Sequence, residues 1–406
     1  MITRDERQKE CLKKWLSNGG QGALLACTGF GKTKTAMNAI KLLLKRNPDA
    51  FVLISVPTEV LKEQWLENII HEDLLLNCKV EIINTIITHK YDVDLLIIDE
   101  IHGTASDCFR QIFNAVTYKL ILGLTATLER LDGKEEIIKQ YCPVVDEVSL
   151  QEAAKNGWVS PVKEYLVLLD VDLTEYKEWN QKFIGFFSYM NYDFNLAMKL
   201  ATNAIERNKY ARQVGVKPKE MAGIAYGWMQ ALRKRKSFVQ SHPKKFEIAE
   251  KILNFRKDKK CVTFSATIKD AERFKTGYVL HSKKSKKQNK DVLEAFNKEE
   301  TGCLHSSKAV DVGVDVKGLS VGIVLSTDSS KIRKIQRSGR VCRFEPGKQA
   351  EMFTLVIRGT QEWNWAMNSA YSNYIVIDEQ QLDLVLKGIE VQTRERDIVE
   401  NKTYRF

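Results

Sequence analysis

The sequence has no long hydrophobic run and no apolar export signal. Its longest apolar stretches, residues 95–98 and 120–124, are far shorter than the roughly 20 residues that a transmembrane helix needs. The N-terminal segment MITRDERQKE is charged, unlike the apolar core of a signal peptide. These absences argue against a membrane protein and predict a cytoplasmic protein that is not secreted.

The cysteines do not form pairs that suit a zinc site or a disulfide framework. There are eight of them, scattered along the chain, and no CxxC pair occurs. This spacing argues against structural zinc and fits a reducing compartment. We therefore expect no zinc site.

The net charge of +11 is concentrated in the rear of the chain. Residues 1–160 hold 19 Lys and Arg against 22 Asp and Glu, whereas residues 161–406 hold 44 against 30. This distribution predicts that the rear supplies much of the grip on a polyanion such as nucleic acid.

The order of apolar runs predicts an α/β fold interrupted by a helical segment. Short buried strands are expected in the front at residues 23–27, 51–56, 79–84, 95–98 and 119–124, with helices between them, such as 34–45 and 58–70. A mostly helical stretch follows, and strands return at residues 261–265, 278–281, 303–307, 321–325 and 351–357. Final helices are expected at residues 361–372 and 380–386. The predicted divisions are 1–165, a first α/β domain; 172–242, a helical insert; 243–375, a second α/β domain; and 376–406, a helical tail.

Residues 26–33, ACTGFGKT, lie between a predicted strand and a predicted helix. Glycines in such a loop let main-chain N–H groups surround phosphate oxygens at a helix N-terminus. Lys32 is expected to reach the β- and γ-phosphates of ATP, and the Thr33 hydroxyl to ligate Mg²⁺. Ala26 replaces the glycine of the strict pattern, and an ordinary glycine turn is the alternative. The predicted nucleotide-binding residues of the loop are Thr28, Gly29, Phe30, Gly31, Lys32 and Thr33.

Residues 95–102, LLIIDEIH, predict a strand that delivers two carboxylates at its C-terminal end. Ligands bind at that end of the strands in open α/β sheets. Asp99 is expected to hold Mg²⁺ through water, and Glu100 to orient or deprotonate the attacking water. Strand-then-Asp-Glu is common by itself, and it gains meaning beside the Lys32 loop.

The loop and the DEIH sequence together resemble the superfamily 2 helicases. The resemblance implies two tandem RecA-like parallel-sheet domains with a helical insertion between them, and ATP and Mg²⁺ as cofactors. It places an adenine-reading pair at Arg4 and Gln8, and a ribose- and backbone-contacting element at residues 311–315, where Gly313 and Asp315 match and Val312 departs from the usual Glu. The implied nucleic-acid-binding residues are Pro57, Thr58, Gln64, Thr125, Thr127, Ser265, Thr267, His281 and Ser307.

Residues 336–343, QRSGRVCR, match the family's arginine-finger element. Arginines are always charged and fit phosphate oxygens, so a pair on one helical face can stabilise the transferring phosphoryl group. The resulting candidates are Gln336, Arg340 and Arg343, which join Lys32, Asp99 and Glu100 as predicted catalytic residues. The alternative is a solvated basic helix.

Residues 148–161 resemble the exit from the first domain in the XPB/UvsW-like branch, and the lean chain resembles phage-encoded branch-migration helicases. That branch implies forked or branched DNA as the partner and 3′→5′ movement, with roles in DNA repair, recombination or replication in a bacterial or phage-infected cytosol. The alternatives are an RNA helicase, an ATP-gated clamp that does not move, and a small-molecule kinase, which has no use for QRSGRVCR.

An aromatic stripe marks the predicted insert. Five aromatic residues recur there at helical spacing, at positions Tyr176, Trp179, Phe183, Phe186 and Phe187. A base-stacking wedge at a fork is one interpretation. The favoured one is a helix that buries the stripe against the second domain. The basic residues 233–236 are predicted either to bind the phosphates of a duplex or to be exposed to solvent.

Overall fold

A computed structural model describes residues 2–128, 134–307, 316, 318–327, 349–369 and 374–393, apart from the side chains of Lys286 and residues 367–369. The chain divides into two compact units. The first comprises Met1–Glu164, Arg256–Ile323 and Ser329–Phe353, and the second comprises Tyr165–Phe255, Val324–Asp328 and Thr354–Phe406.

The front of the chain forms a six-stranded parallel sheet in the order β3-β2-β4-β5-β1-β6. The strands are β1 Gln21–Ala26, β2 Val52–Val56, β3 Cys78–Ile82, β4 Tyr91–Asp99, β5 Val116–Thr125 and β6 Val144–Val148. The first five correspond to predicted strands. Strand β6 was not predicted, because its sequence VVDEV is short and interrupted by two acidic residues.

Helices cover both faces of this sheet. They are α1 Arg4–Ser17, α2 Lys32–Arg46, α3 Glu59–His71, α4 Ile83–Ile86, α5 Ile112–Ala115, α6 Glu135–Tyr141 and α7 Leu150–Lys155, with 3₁₀ turns at Ile101–Ala105 and Phe109–Gln111. Along β4, Leu95 and Ile97 join one buried cluster, while Leu96 and Ile98 join another. Because side chains alternate along a strand, a run that is apolar at every position serves a sheet buried on both faces.

The helical insert has its own core. Its helices are α8 Thr174–Ser188, α9 Phe194–Thr202, α10 Ala204–Gln213 and α11 Pro218–Ser241. The fully buried Trp228 on α11 lies 5.8 Å from the rings of both Phe183 and Phe187 and 5.5 Å from that of Phe194. Phe186 packs against the same cluster.

The expectation that the aromatic stripe packs against the second domain is therefore wrong for most of its members. Phe183, Phe186 and Phe187 on α8 are half-buried against the core of the insert itself, because α11 supplies Trp228 to that core. Tyr176 is the exception, and its hydroxyl accepts a hydrogen bond from Gln361 N at 2.9 Å. Within the basic run, the Arg235 guanidinium lies 4.2 Å from the centroid of the Phe183 ring. This arginine therefore contributes to packing.

A seven-stranded sheet has the order β13-β7-β12-β11-β8-β10-β9. Its strands are β7 Val162–Leu169, β8 Lys260–Ser265, β9 Tyr278–Leu280, β10 Gly302–Ser307, β11 Leu319–Val324, β12 Ala350–Ile357 and β13 Tyr374–Ile377. Strands β8, β10 and β9 are parallel. The associated helices are α12 Pro243–Phe255, α13 Ile268–Ala271, α14 Lys286–Lys298, α15 Gln361–Ser369 and α16 Glu379–Leu386.

Strands β7 and β13 were not predicted. Strand β7 follows the first sheet directly in the chain but lies beside β12, with hydrogen bonds from Ala350 N to Pro161 O and from Arg358 N to Leu169 O. The order of these two bonds makes β7 parallel to β12.

Among the helices of the described ranges, none is both long and apolar enough to cross a membrane.

Candidate nucleotide-binding site

The loop between β1 and α2 has the backbone that a phosphate cradle requires. Gly29 and Gly31 adopt left-handed φ angles of 88° and 97°. Gly31 is the N-cap of α2, and no side chain caps the helix there. The first N–H groups of α2 therefore face the loop with the positive end of the helix dipole. This geometry suits a polyanionic ligand, as the sequence predicts, and Thr28 and Thr33 lie half-buried on either side of it.

Lys32 occupies the first turn of α2. Its Nζ lies 3.4 Å from the main-chain oxygen of Ala26 and 4.0 Å from Oε1 of Glu100. Because Ala26 ends β1 and Glu100 follows β4, the sheet brings the lysine and the carboxylate together at its C-terminal edge. This is the edge where ligands bind in parallel α/β sheets.

Asp99 is the last residue of β4, and protein donors hold both of its carboxylate oxygens. Oδ1 accepts from Glu100 N at 3.0 Å, and Oδ2 accepts from the indole Nε1 of Trp65 at 2.9 Å. The sequence alone assigns no role to Trp65. Its side chain is 2% exposed, and no sequence signal announces its contact with Asp99.

The pKa values of the two neighbouring carboxylates are shifted in opposite directions. Burial raises the pKa of Asp99, and the negative charge of Glu100 raises it further. Burial also acts to raise the pKa of Glu100, but the Lys32 ammonium and a hydrogen bond from His102 outweigh it and hold that pKa below its usual range. Glu100 is therefore ionised at neutral pH, and its carboxylate can accept a hydrogen bond from an attacking water.

Glu100 also has an unusual backbone. Its φ is 52°, in the left-handed region that residues other than glycine rarely adopt. His102 Nδ1 lies 3.3 Å from Glu100 Oε2 and 3.1 Å from the Thr125 hydroxyl. That hydroxyl lies 2.9 Å from Thr127 O. The DEIH segment and the predicted nucleic-acid-binding residues Thr125 and Thr127 therefore share one polar cluster.

Helix α1 contacts the loop through the predicted adenine-reading pair. Gln8 Nε2 donates to Phe30 O at 2.9 Å, and Arg4 Nη1 donates to Gly29 O at 3.3 Å. Gln8 Oε1 is buried and has no hydrogen-bond partner among the described residues. A buried acceptor of this kind costs free energy unless a donor reaches it, and the amino group of adenine is such a donor.

Two further residues support this corner. Trp158 packs its ring 5.7 Å from that of Phe30. Arg7, next to Gln8, donates through Nη1 to Asp146 Oδ2 at 2.5 Å and through Nε to Glu152 Oε1 at 2.7 Å. Sequence reasoning missed Arg7, because an arginine in a charged helix carries no sign that it is buried. These contacts fix α1 against β6 and α7.

The predicted nucleic-acid-binding residues occupy strand ends and helix starts. Thr58 caps α3, Pro57 precedes it, and Gln64 is half-buried on that helix. Ser265 and Ser307 are register partners at the ends of β8 and β10. The remaining placements are Thr267, which caps α13, and His281, whose Nε2 lies 3.1 Å from Glu272 Oε1.

Several predicted residues lie outside the described residues and stay predictions. They are Gly313 and Asp315 of the ribose-contacting element and Gln336, Arg340 and Arg343 of the arginine-finger element. In the described part of the chain, no group of three or more His, Cys, Asp or Glu side chains could hold a metal ion.

Two family models match the chain. One, described as "Helicase conserved C-terminal domain", matches residues 244–345. The other, described as "Type III restriction enzyme, res subunit", matches residues 2–92 and 75–130. The first model covers the QRSGRVCR element, and the second covers the Lys32 loop and the DEIH sequence.

Relatives named XPB are similar to the chain. The chain is 27% identical over 376 residues to DNA 3′-5′ translocase XPB2 of Sulfurisphaera tokodaii, a match that covers 88% of this chain and 82% of the relative. It is 23% identical over 280 residues to the general transcription and DNA repair factor IIH helicase/translocase subunit XPB of Antonospora locustae. The second match covers 66% of this chain and 34% of that protein.

Solved helicase structures share the fold. The Hef helicase domain of Pyrococcus furiosus superposes with a TM-score of 0.51 at 16% identity, covering 90% of this chain and 97% of that one. S. cerevisiae Dbp5 bound to RNA and ADP BeF3 superposes with a TM-score of 0.58 at 14% identity, covering 96% and 93%. The predicted fold class, two parallel-sheet α/β domains of the RecA-like helicase type, is confirmed.

Proposed function

Since this chain belongs to the XPB-like superfamily 2 helicases and is an ATP-dependent helicase enzyme, we propose that it translocates on DNA in the 3′→5′ direction and opens or migrates forked and branched DNA. The observation that carries the proposal is the meeting of Lys32 and Glu100 at the C-terminal edge of the first sheet, 4.0 Å apart and beside Asp99. One relative, the XPB2 protein, is named for movement on DNA in that direction.

The proposed ATP site lies on the loop between β1 and α2. Lys32 would bind the β- and γ-phosphates, and the main-chain N–H groups after Gly31 would contact the same oxygens. The donor set fits Mg²⁺, a hard cation that prefers oxygen ligands, since the Thr33 hydroxyl and the Asp99 carboxylate are both oxygen donors. Bound Mg²⁺ would neutralise charge that develops on the phosphates.

Glu100 is the proposed base for the attacking water. Its low pKa keeps it ionised, and its contacts with His102 and Thr125 restrict its orientation. The buried acceptor Gln8 Oε1 suits the adenine amino group, so Gln8 and Arg4 are proposed to select ATP. Gln336, Arg340 and Arg343 are proposed to stabilise the transferring phosphoryl group.

Nucleic acid is proposed to contact the predicted residues at the strand ends and helix starts. Pro57, Thr58, Gln64 and Thr267 are accessible for such contacts, whereas Thr125, Thr127, Ser265, His281 and Ser307 are buried in this structure. Most of the predicted residues are small and polar, which suits contacts to phosphate oxygens rather than base edges. Such contacts carry little sequence information, so the proposed enzyme reads the form of the DNA and not its sequence. The basic rear of the chain, with 44 Lys and Arg against 30 Asp and Glu, would add electrostatic affinity.

The deciding experiment measures ATPase stimulation and strand displacement on matched substrates. The panel comprises forked DNA, a four-way junction, linear duplex, single-stranded DNA and single-stranded RNA. Forked DNA or the junction should stimulate ATP hydrolysis most, and ATP should drive displacement of a triplex-forming strand from a duplex. Stronger stimulation by RNA would favour an RNA helicase, and tight binding without displacement would favour an ATP-gated clamp.

A further inference from the structure

Two donors of different origin fix the carboxylate of Asp99. Glu100 N belongs to the adjoining residue, so its 3.0 Å bond to Oδ1 is set by the local chain. The indole of Trp65 reaches Oδ2 at 2.9 Å from a separate element, helix α3. With one donor on each oxygen, the plane of the carboxylate cannot rotate without breaking a hydrogen bond. Half of that constraint depends on where α3 lies.

Helix α3 is held on the sheet by few buried side chains. Of its thirteen residues, Trp65 and Ile69 are the buried ones, at 2% and 0% exposure. Trp65 therefore serves two purposes, since its rings dock the helix in the core and its N–H bonds to the carboxylate. A shift of α3 along or about its axis must move the indole, and with it the donor to Asp99.

The same helix carries residues proposed to contact the nucleic-acid strand. Thr58 is its N-cap, accepting a hydrogen bond from Leu61 N at 3.4 Å, and Gln64 directly precedes Trp65. A strand that binds at the N-terminal turn therefore acts on the element that holds the indole. The path from Thr58 to Asp99 consists of one helix and one hydrogen bond.

We propose that Trp65 is a positioning residue that orients the Asp99 carboxylate for Mg²⁺ and transmits strand contact on α3 to the metal site. The inference rests on the proposed function, since it needs Asp99 to hold the metal and α3 to meet nucleic acid. Outer partners of metal ligands set ligand orientation, and their loss costs about 10–100-fold in metal affinity or activity.

The test compares Trp65→Phe with Trp15→Phe. Trp15 is a matched control, because it is 1% exposed, lies in the same buried cluster, and donates its indole N–H to Ile121 O at 2.8 Å. Each variant keeps an aromatic ring and loses one buried N–H donor. The two should lose similar thermal stability. Only Trp65→Phe should raise the half-saturating Mg²⁺ concentration of the ATPase, by about tenfold or more.

The second readout is the response to nucleic acid. At saturating Mg²⁺ and ATP, forked DNA should stimulate Trp65→Phe several-fold less than Trp15→Phe. Equal Mg²⁺ dependence and equal stimulation in the two variants would overturn the proposal. Lack of stimulation in the wild-type protein would instead overturn the proposed function, so the two failures are distinguishable.

A measurement on the wild-type protein covers the case in which Trp65→Phe does not fold. The chain has seven tryptophans, so indole ¹⁵N labelling gives seven side-chain N–H signals. Mn²⁺, a paramagnetic substitute for Mg²⁺, should broaden one of these signals most in the presence of a non-hydrolysable ATP analogue. With Mg²⁺ restored, the same signal should shift when a single-stranded oligonucleotide is added. If no indole signal responds to both additions, the proposal is wrong.

Discussion

The side-chain amide of Gln8 donates a hydrogen bond to the main-chain oxygen of Phe30 at 2.9 Å. This bond ties helix α1 to the middle of the phosphate-binding loop. A Cβ atom placed on the next residue, Gly31, would lie 2.6 Å from Gln8 Nε2. The same amide thus sets the shape of the loop from outside, and the loop can approach it closely because Gly31 has no side chain.

Gly31→Ala should weaken ATP binding and lower stability. The substitution puts a Cβ on a residue with φ of 97° and displaces the Gln8 amide from Phe30 O. The left-handed backbone costs about 1–2 kcal/mol, and the lost hydrogen bond adds about 1 kcal/mol. Gly19→Ala is the control, since Gly19 has a φ of 70° and open space around it. Only Gly31→Ala should raise the KM for ATP; an equal KM in both variants would contradict the role assigned to this contact.

Arg7→Met should destabilise the first α/β domain far more than Lys14→Met. Both cations bond to Asp146, but the Arg7 side chain is 8% exposed and that of Lys14 is 54% exposed. Removing the buried partner leaves a buried carboxylate without its main counter-charge, which lowers the free energy of unfolding by about 3–5 kcal/mol. The exposed pair contributes only about 0–1 kcal/mol. Urea unfolding of the two variants measures the difference. Equal losses would contradict the prediction, because they would show that the burial of Arg7 makes its pair with Asp146 no stronger than the exposed pair.

The regular parts of the fold were predictable because they depend on local pattern. Short apolar runs such as residues 95–98, bounded by polar residues, are typical of strands covered on both faces, and β4 contains that run. Strand β6 escaped prediction because five residues interrupted by two acidic ones give no clear period, and strand β13 escaped it because a run of four apolar residues is too short to assign. Strand β7 is apolar enough to predict, but its pairing with β12 depends on residues nearly 200 positions later.

The residues of the candidate site also fall into two groups, those that local sequence predicts and those that it does not. Lys32, Asp99 and Glu100 could be identified from the sequence. A glycine-rich loop that ends in Gly-Lys-Thr and a strand followed by two carboxylates together indicate a nucleotide site. Trp65 and Arg7 could not be identified in this way. A tryptophan in an amphipathic helix usually means packing, and a charged residue in a charged helix usually means a solvated face. Their contacts with Asp99 and Asp146 arise from tertiary packing, which local sequence does not encode.

Lys32→Ala should abolish ATP turnover and leave nucleic-acid binding intact. The ammonium lies 4.0 Å from Glu100 Oε1 and 3.4 Å from the main-chain oxygen of Ala26. Loss of a preorganised charge at the reacting phosphates costs about 10²–10³ in kcat or more. Lys41→Ala is the control, since Lys41 is largely exposed and pairs with Glu72 on the surface. A Lys32→Ala variant with normal turnover would refute the site assignment.

Thr125→Val should uncouple hydrolysis from nucleic acid. The Thr125 side chain is fully buried, and its hydroxyl lies 3.1 Å from His102 Nδ1 and 2.9 Å from Thr127 O. Valine keeps the shape but removes the hydroxyl, which costs about 1–3 kcal/mol where buried partners are left unpaired. Stimulation of the ATPase by DNA should fall while ATP affinity stays near the wild-type value. Thr117→Val, at an exposed position on the same strand, should behave as the wild type.

Mild acid should destabilise the sheet around His305. The ring is 1% exposed, with Nδ1 2.9 Å from the Thr263 hydroxyl and Nε2 2.8 Å from Thr276 O. Burial lowers the pKa of His305 to about 4. The unfolded chain takes up a proton near pH 6.5, whereas the folded protein does so only near pH 4.

Stability should therefore fall as the pH drops through this window, by about 2–3 kcal/mol from this residue. His305→Gln should be less stable at pH 7 because the neutral ring is lost from its two hydrogen bonds. Its urea midpoint should fall less than that of the wild type between pH 6.5 and pH 4. His71→Gln changes an exposed histidine on α3 and should reproduce the wild-type pH profile. If His305→Gln follows that profile as well, the imidazole is not the group that titrates, because removing it would then leave proton uptake on unfolding unchanged.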